Sequence, residues 1–220
     1  MNARRLTATV LCSAAALTAL GGCKSKGDVV IDSGVGITAI RSRCPAVGIP
    51  DFTGDVTLFR AAGLRTADAI DVTAAMTDVR AQCNDSAGDK VTSSVSFRVL
   101  GSRTDTQGPR QVTLPYFVTV LQGGSAVVSK RVGQITLNFA DGQSRAEASA
   151  NANAYIDRAA ATLPEEIRKR ITAKRKAGDS DAALDPLADP TVKAAVARAT
   201  FEVLVGFQLD ESQLAYNATK

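Results

Sequence analysis

Apolar and polar residues alternate over several stretches of this chain, which is the pattern of half-buried β-strands. The alternation is clear in Val91–Val99, Val112–Val120 and Ile135–Phe139, and it is strongest in Phe201–Leu209. Breaks that contain glycine separate the first three segments, as in β-hairpins. Short alternating strands with turns at this spacing predict a mainly β fold, an antiparallel β-sandwich. An Ig-like arrangement fits the spacing, but the chain has no Trp for the usual core position, so only the architecture is predicted.

Two further segments and two irregularities complete the strand pattern. Ile37–Cys44 and Val56–Phe59 are typical of short strands. From Ile70 the alternation is regular until its phase changes, which predicts a bulge or a turn near Met76–Thr77 because a slip would otherwise expose the apolar side chains. Pro115 cannot donate to a strand ladder, so its strand is expected to be an edge strand or to be bulged there.

Three helices are predicted from their start and stop signals. Pro164–Lys176 has a proline at the first helical position, acidic residues in the first turn and basic residues behind them. Asp189–Pro190 is a helix-opening pair, and Asp210–Gln213 is a capping box for a short C-terminal helix. We therefore expect a helical insertion at about 163–199, before the last strand. The alanine-rich segment 145–161 fits a helix or an edge strand, and the pattern does not decide between them.

The N-terminus has the features of an export signal. Arg4 and Arg5 precede Leu6–Leu20, a stretch of about 15 residues without a charge, which is shorter than the roughly 20 apolar residues of a membrane-spanning helix. The run ends in the sequence Leu20-Gly21-Gly22-Cys23, which resembles a bacterial lipobox. An ordinary secretory signal with a chance Cys at its end is the alternative.

The resemblance implies a role for each residue of this motif. Leu20 would occupy the apolar pocket of the signal peptidase, Gly21 and Gly22 would flank the cleaved bond, and Cys23 would carry a diacylglycerol thioether. Two or three acyl chains give near-permanent anchoring. The protein would then be lipid-anchored on the periplasmic side of the cell envelope. The residue after Cys23 is Lys24 rather than Asp, which favours the outer membrane over the inner membrane.

Cleavage would divide the chain into three parts. Residues 1–22 would be the signal peptide, 23–36 a flexible tether and 37–220 a single domain, since the 198 remaining residues suit one well-buried core. The mature chain would carry 24 basic and 22 acidic residues. Such a balanced charge does not favour nucleic acid as a partner.

The cysteine count predicts one disulfide. Cys12 lies in the signal and Cys23 would be acylated, which leaves Cys44 and Cys83 in the folded part. An even pair in an oxidising compartment indicates a Cys44–Cys83 disulfide, with two buried free thiols as the alternative. Two thiolates without any His cannot complete a four-ligand zinc site.

The residue types limit the chemistry that the domain can perform. The chain has no His, which excludes His-based triads, Cys–His nucleophiles and imidazole metal sites. Gly34-Val35-Gly36 lacks the third glycine and the following helix of a phosphate-binding loop. Asp179, Asp181, Asp185 and Asp189 lack the spacing and central glycine of a calcium loop, so we expect a solvated linker there. We predict no catalytic residues, no metal and no cofactor.

One cationic helix face is a candidate surface for anionic partners. Six basic residues fall within nine positions: Arg168, Lys169, Arg170, Lys174, Arg175 and Lys176. Near an anionic surface each would contribute about 1 kcal/mol. The alternative is a solvated helix face whose local partners are Glu165 and Glu166.

These observations give three hypotheses for function. The first is a non-enzymatic envelope lipoprotein that binds or scaffolds another envelope component, a protein or a glycan. The second is a small-ligand or lipid carrier of the periplasm, with its ligand between the sheets or under the helix. The third is a hydrolase of unusual type, which would need a cleft where Lys and carboxylate side chains converge. A large apolar pocket would favour the carrier, and an exposed apolar or edge-strand patch would favour partner binding.

Overall fold

The computed structural model describes residues 29–30, 38–39, 42–61, 63–86, 88–173, 178 and 184–220. The strands, in chain order, are β1 Val29–Val30, β2 Thr38–Ala39, β3 Ala46–Gly48, β4 Asp55–Phe59, β5 Ile70–Asn84, β6 Lys90–Arg103, β7 Arg110–Gln122, β8 Ala126–Phe139, β9 Arg145–Asp157 and β10 Phe201–Phe207. The helices are α1 Glu165–Thr172, α2 Pro190–Ala199 and α3 Glu211–Thr219, with single 3-10 turns at Ala67–Ala69 and Pro186–Ala188. None of the described helices is long and apolar enough to cross a bilayer.

Two four-stranded sheets pack face to face, which confirms the predicted β-sandwich with helical additions. The first sheet has the order β3-β10-β7-β8 and the second has the order β4-β5-β6-β9. All strand pairs in them are antiparallel except β3 with β10, which is parallel. β1 and β2 form a separate antiparallel pair.

The core is built from alternate residues of the long strands, as their periodicity predicts. The bulky strand side chains with less than 2% exposure come from both sheets: Val72, Val91, Val95, Phe97, Val99, Leu137, Phe139, Val203, Val205 and Phe207. The bulge predicted near Met76–Thr77 is present, since the β5–β6 register shifts between Thr77 and Arg80 and Asp78 has a positive φ of 55°. This extra residue restores the core-facing phase after Met76.

Pro115 does not mark an edge strand, so that part of the prediction was wrong. β7 is central, lying between β10 and β8, and its register shift with β8 falls between Val120 and Leu121 rather than at the proline. The last residue pair between β10 and β7 is Phe207 with Tyr116. Pro115 is the next residue, and its carbonyl accepts a hydrogen bond from the Gln208 N–H. The N–H that Pro115 lacks would therefore lie just beyond the last residue pair of β10 and β7, where no ladder hydrogen bond requires it.

The alanine-rich segment forms an edge strand rather than a helix. β9 pairs with β6 over Arg145–Asp157, and no other described strand pairs with its second side. Its alanines at even positions from 146 to 154 face the core, where they pack against the bulkier side chains of β6 and β8. Tertiary packing therefore overrides the helix propensity of alanine.

The helical insertion has a small core of its own. Ile167 and Ile171 of α1 pack with Val192 and Ala195 of α2, separately from the main core. α1 ends at Thr172, four residues before the predicted end at Lys176, and residues 174–177 lie outside the described part of the chain. α3 begins with the predicted capping box: Asp210 accepts from the Gln213 N–H, and the Gln213 side chain accepts from the Asp210 N–H.

The predicted disulfide is present. Cys44 and Cys83 are joined with their Cα atoms 5.9 Å apart. The bond connects the segment before β3, in the first sheet, to the exposed end of β5, in the second sheet. It therefore holds the chain where it enters the sandwich.

Candidate binding surfaces

The lipobox motif lies outside the residues that the structure describes. This applies to Leu20, Gly21, Gly22 and Cys23, so their roles remain predictions. The first described pair of strands begins at Val29, and β2 lies beside α1. The chain thus reaches the domain on the side where the helical insertion lies.

The three described cations of the predicted helix face each have an acidic neighbour. Arg168 donates two hydrogen bonds to Glu165, and Lys169 lies 3.9 Å from the same carboxylate. Arg170 donates to Asp189, the residue that caps α2. Hydrogen bonds from the arginines hold the pKa values of Glu165 and Asp189 below their ordinary range.

These ion pairs are solvent-exposed and therefore weak, so an anion that binds the cations more tightly can displace the carboxylates of Glu165 and Asp189. The other three cations of the face, Lys174, Arg175 and Lys176, lie outside the described residues.

The first half of β8 is an exposed edge of the first sheet, and we call residues Ala126–Val132 the β8 edge. All seven residues are exposed, although they belong to a strand. Val127, Val128 and Val132 are 64%, 55% and 59% exposed. Among the described strands only β7 pairs with β8, so the other side of the β8 edge presents backbone N–H and C=O groups to which no described strand is bonded.

The register explains why the β8 edge is exposed on both faces. Arg131 and Ser129 pair with Val118 and Val120, so they continue the core-facing row of β8. Both are nevertheless exposed, which means that the second sheet does not cover them. On the opposite face Val132 lies beside Phe117, and the Lys130 ammonium sits 5.2 Å from the centre of that ring. The edge thus combines apolar side chains with two cations and no acid.

A trough crosses the outer face of the second sheet, and its volume is about 750 Å³. Two rows of side chains form it, each with one residue from each of β9, β6, β5 and β4. The first row is Arg145, Ser102, Thr73 and Thr57, and the second is Glu147, Leu100, Ala75 and Asp55. Lys220 closes the end beside β4, where it pairs with Asp55. We call this feature the trough.

The polar groups of the trough differ in whether they have partners. Asp55 pairs with Lys220, and Glu147 lies 3.7 Å from Arg98. Within the described ranges, by contrast, no carboxylate oxygen lies within 4 Å of the Arg145 guanidinium, although Glu147 is two residues away on the same face, and no protein group bonds to the hydroxyls of Ser102, Thr73 and Thr57.

These surfaces change the balance between the three hypotheses. Between the sheets the core is filled by side chains such as Phe97, Leu137 and Phe207, all at most 1% exposed. Support for ligand binding must therefore come from surface cavities, of which the trough is one. The trough holds Lys220 beside one carboxylate, that of Asp55, with which it already forms an ion pair, while Glu147 lies at the opposite end on β9. In the described part of the chain, no three acidic or cysteine side chains are grouped as metal ligands.

Sequence reasoning missed both the β8 edge and the trough. Three exposed valines in a strand are indistinguishable, by pattern alone, from three buried ones. The trough exists because the pairing register of the second sheet places residues from four strands, which are far apart in the chain, side by side. The one available signal was the run Ser129-Lys130-Arg131 inside a strand, which places cations on both faces.

Comparison with protein-family models, with curated proteins and with solved structures finds no match to this chain.

Proposed function

We propose that this chain is a non-enzymatic, lipid-anchored envelope protein that binds another envelope protein by strand addition at the β8 edge. The observation that carries the proposal is the run of seven consecutive exposed residues in the first half of β8, whose outer hydrogen-bonding side is paired with none of the described strands. Proteins normally protect such an edge because it pairs readily with other chains. Strand addition uses the free backbone groups for affinity and the alternate side chains for specificity.

The charges of the β8 edge define the chemistry of the partner. Lys130 and Arg131 point to opposite faces, and the segment contains no acid. A second copy of this strand would bring like charges together, which is unfavourable. An extended segment with acidic residues opposite the two cations and apolar residues opposite Val127 and Val132 would instead be complementary. We therefore propose an acidic, extended segment of another protein as the occupant.

The anchor would place the domain close to the bilayer. Five residues lie between Cys23 and Val29, so the six chain steps from Cys23 to Val29 span at most about 20 Å when extended. Because β2 lies beside α1, the cationic helix face would be turned towards the membrane. In this proposal the β8 edge is left for the partner, on the periplasmic side of the outer membrane. Lipid phosphates would then compete with Glu165 for Arg168 and Lys169.

Site-specific photo-crosslinking in the native envelope tests the interaction. A photo-reactive residue at Val127 or Val132 is expected to trap one common species, and the trapped peptide should contain acidic residues. The same probe at Leu214 of α3, which is 42% exposed, serves as the matched control. Val132→Asp should abolish the crosslink from position 127 while the thermal unfolding curve is retained, since Val132 contributes little to the core.

Two outcomes would overturn the proposal. One is a crosslink from Val127 or Val132 that leads to a second copy of this chain. The other is an equal yield of the same species from Leu214, because proximity rather than the β8 edge would then explain it.

The anchor is tested independently by mass spectrometry. The intact mass of the protein from its host should equal that of residues 23–220 plus diacylglycerol, with or without an amide-linked chain. Cys23→Ala should leave the chain unacylated and release it from the membrane fraction. An uncut or unmodified N-terminus in the wild-type protein would refute the lipid anchor.

A further inference from the structure

The trough presents a row of hydroxyl groups that form no hydrogen bond with the described part of the protein. Thr57 is 92% buried, given its exposure of 8%, yet within the described residues its hydroxyl bonds to no protein group. Thr73 and Ser102 present two more unpartnered hydroxyls in the same row. The Thr57 hydroxyl oxygen remains accessible from the trough, as do those of Thr73 and Ser102, so a ligand lying there can bond to all three hydroxyls without breaking a hydrogen bond of the protein.

The register fixes the spacing of these hydroxyls. Thr57, Thr73 and Ser102 are direct ladder partners on β4, β5 and β6. Neighbouring strands lie about 4.8 Å apart, so the three hydroxyls form a straight line of about 10 Å. Each hydroxyl can both donate and accept, which suits a ligand with several hydroxyls of its own. A fatty acid, which has none, would leave the whole row unsatisfied.

The second row supplies an aliphatic surface beside this line. Leu100 is 44% exposed, and its ladder neighbour Ala75 is also exposed. These small and aliphatic side chains form the floor onto which the C–H face of a ring can pack. Polar groups along one side and an apolar floor on the other match the two kinds of surface that a sugar ring presents.

The charge at the end of the row beside β9 selects an anion. Arg145 lies at the end of the hydroxyl line and has no acidic partner within the described residues, whereas the other charged groups of the trough are paired. An unpaired guanidinium binds a carboxylate through two parallel hydrogen bonds. From these observations we propose that the trough binds a carboxylate-bearing sugar, with the carboxylate at Arg145 and the ring hydroxyls along Ser102, Thr73 and Thr57.

The inference is independent of the β8 edge, because the trough lies on the other sheet. The test uses the full acylated chain in detergent micelles, isotope-labelled for NMR. Three probes are titrated: D-galacturonate, its neutral parent D-galactose, and hexanoate, which has a carboxylate but no hydroxyl. We expect galacturonate to shift the amide signals around Thr57, Thr73 and Ser102. Galactose and hexanoate should each bind at least tenfold more weakly.

Two variants link binding to the proposed groups. Arg145→Gln should weaken galacturonate binding at least tenfold and leave galactose binding unchanged. Thr73→Val removes one hydroxyl at nearly constant volume and should weaken both sugars severalfold. Thr92→Val is the matched control, since Thr92 lies on β6 away from the trough. Thermal unfolding of each variant shows whether the fold is retained.

Three results would overturn the inference. The first is the absence of galacturonate-induced shifts in the trough. The second is binding of hexanoate as tight as that of galacturonate, which would make the trough a site for amphiphilic carboxylates. The third is an equal effect of Thr73→Val and Thr92→Val, which would show that the hydroxyl row plays no part.

Discussion

Replacing Gly101 by alanine tests how closely the two sheets are packed. Gly101 occupies a core-facing position of β6, where its ladder neighbours are the small residues Ala74 and Ala146. A Cβ atom there would lie 2.4 Å from Cδ1 of Leu137 and 3.2 Å from Cζ of Phe139, both on β8 of the opposite sheet. The first distance is far below van der Waals contact. The glycine is therefore required by the approach of the facing sheet, and its φ is not positive.

The magnitude follows from two opposing effects. Overpacking a filled core costs about 1–3 kcal/mol. Alanine also restricts the unfolded chain, which stabilises the fold by about 0.4–1 kcal/mol. Leu137 is completely buried and cannot swing into solvent, so we expect a net loss of about 1–2 kcal/mol. For a domain of this size, that corresponds to a fall in Tm of roughly 2–8 °C.

Urea unfolding followed by far-UV circular dichroism measures the effect. Gly48→Ala is the control, because a Cβ at Gly48 meets only Leu204 Cδ2 at an ordinary 3.9 Å. A double-mutant cycle with Leu137→Val identifies the cause, since valine lacks the clashing Cδ1 atom. The coupling should offset at least about 0.5 kcal/mol of the combined loss. If Gly101→Ala is as stable as Gly48→Ala, or if the coupling is zero, the close packing at this position is refuted.

Three further changes follow from the same contacts. Replacing both Cys44 and Cys83 by serine removes a bridge between residues that are 39 positions apart. The free energy of unfolding in urea should fall by about 2–4 kcal/mol. An unchanged unfolding midpoint would refute a stabilising role for the disulfide. Two hydrogen bonds from Arg110 lower the pKa of Asp71, so its contribution to stability is present above about pH 4 and is lost as the pH falls through the folded pKa. Asp71→Asn should therefore destabilise the protein at pH 7 and progressively less below pH 4, and a constant difference across that range would contradict the pairing. Asp210→Ala removes the N-cap of α3 and should lower the free energy of unfolding by about 1 kcal/mol. Amide hydrogen exchange should become faster in α3 only, and unchanged exchange there would exclude a capping role.

The strands and helix starts could be predicted because their signals are local. The period-two alternation of β6, β7 and β10 and the capping box at Asp210 each depend on residues within a few positions of one another. The bulge after Met76 was predicted for the same reason, since a change of phase is visible along one strand. The disulfide followed from the count of cysteines that remained for the folded part.

The wrong prediction at Pro115 and the open question at 145–161 both concern positions where neighbouring strands decide the outcome. Pro115 lies in a central strand, and it is tolerated because β10 ends opposite Tyr116, which no local pattern reveals. The alanines of β9 could have formed a helix in isolation. They form an edge strand because β6 supplies the hydrogen bonds and because the alanines on its inner face pack against the main core.

By itself the sequence determined the residue types available for chemistry, the alternation that makes a two-sheet sandwich, the cysteine pair and the helix boundaries that its caps define. Only the tertiary structure decided which valines of β8 are left exposed and which polar residues of four separate strands line the trough. The reason is physical: side-chain alternation depends on the conformation of one strand, whereas exposure and convergence depend on register and on how far the opposite sheet extends. The β8 edge, which carries the first proposal, and the trough, which carries the second, both depend on register and on the extent of the opposite sheet.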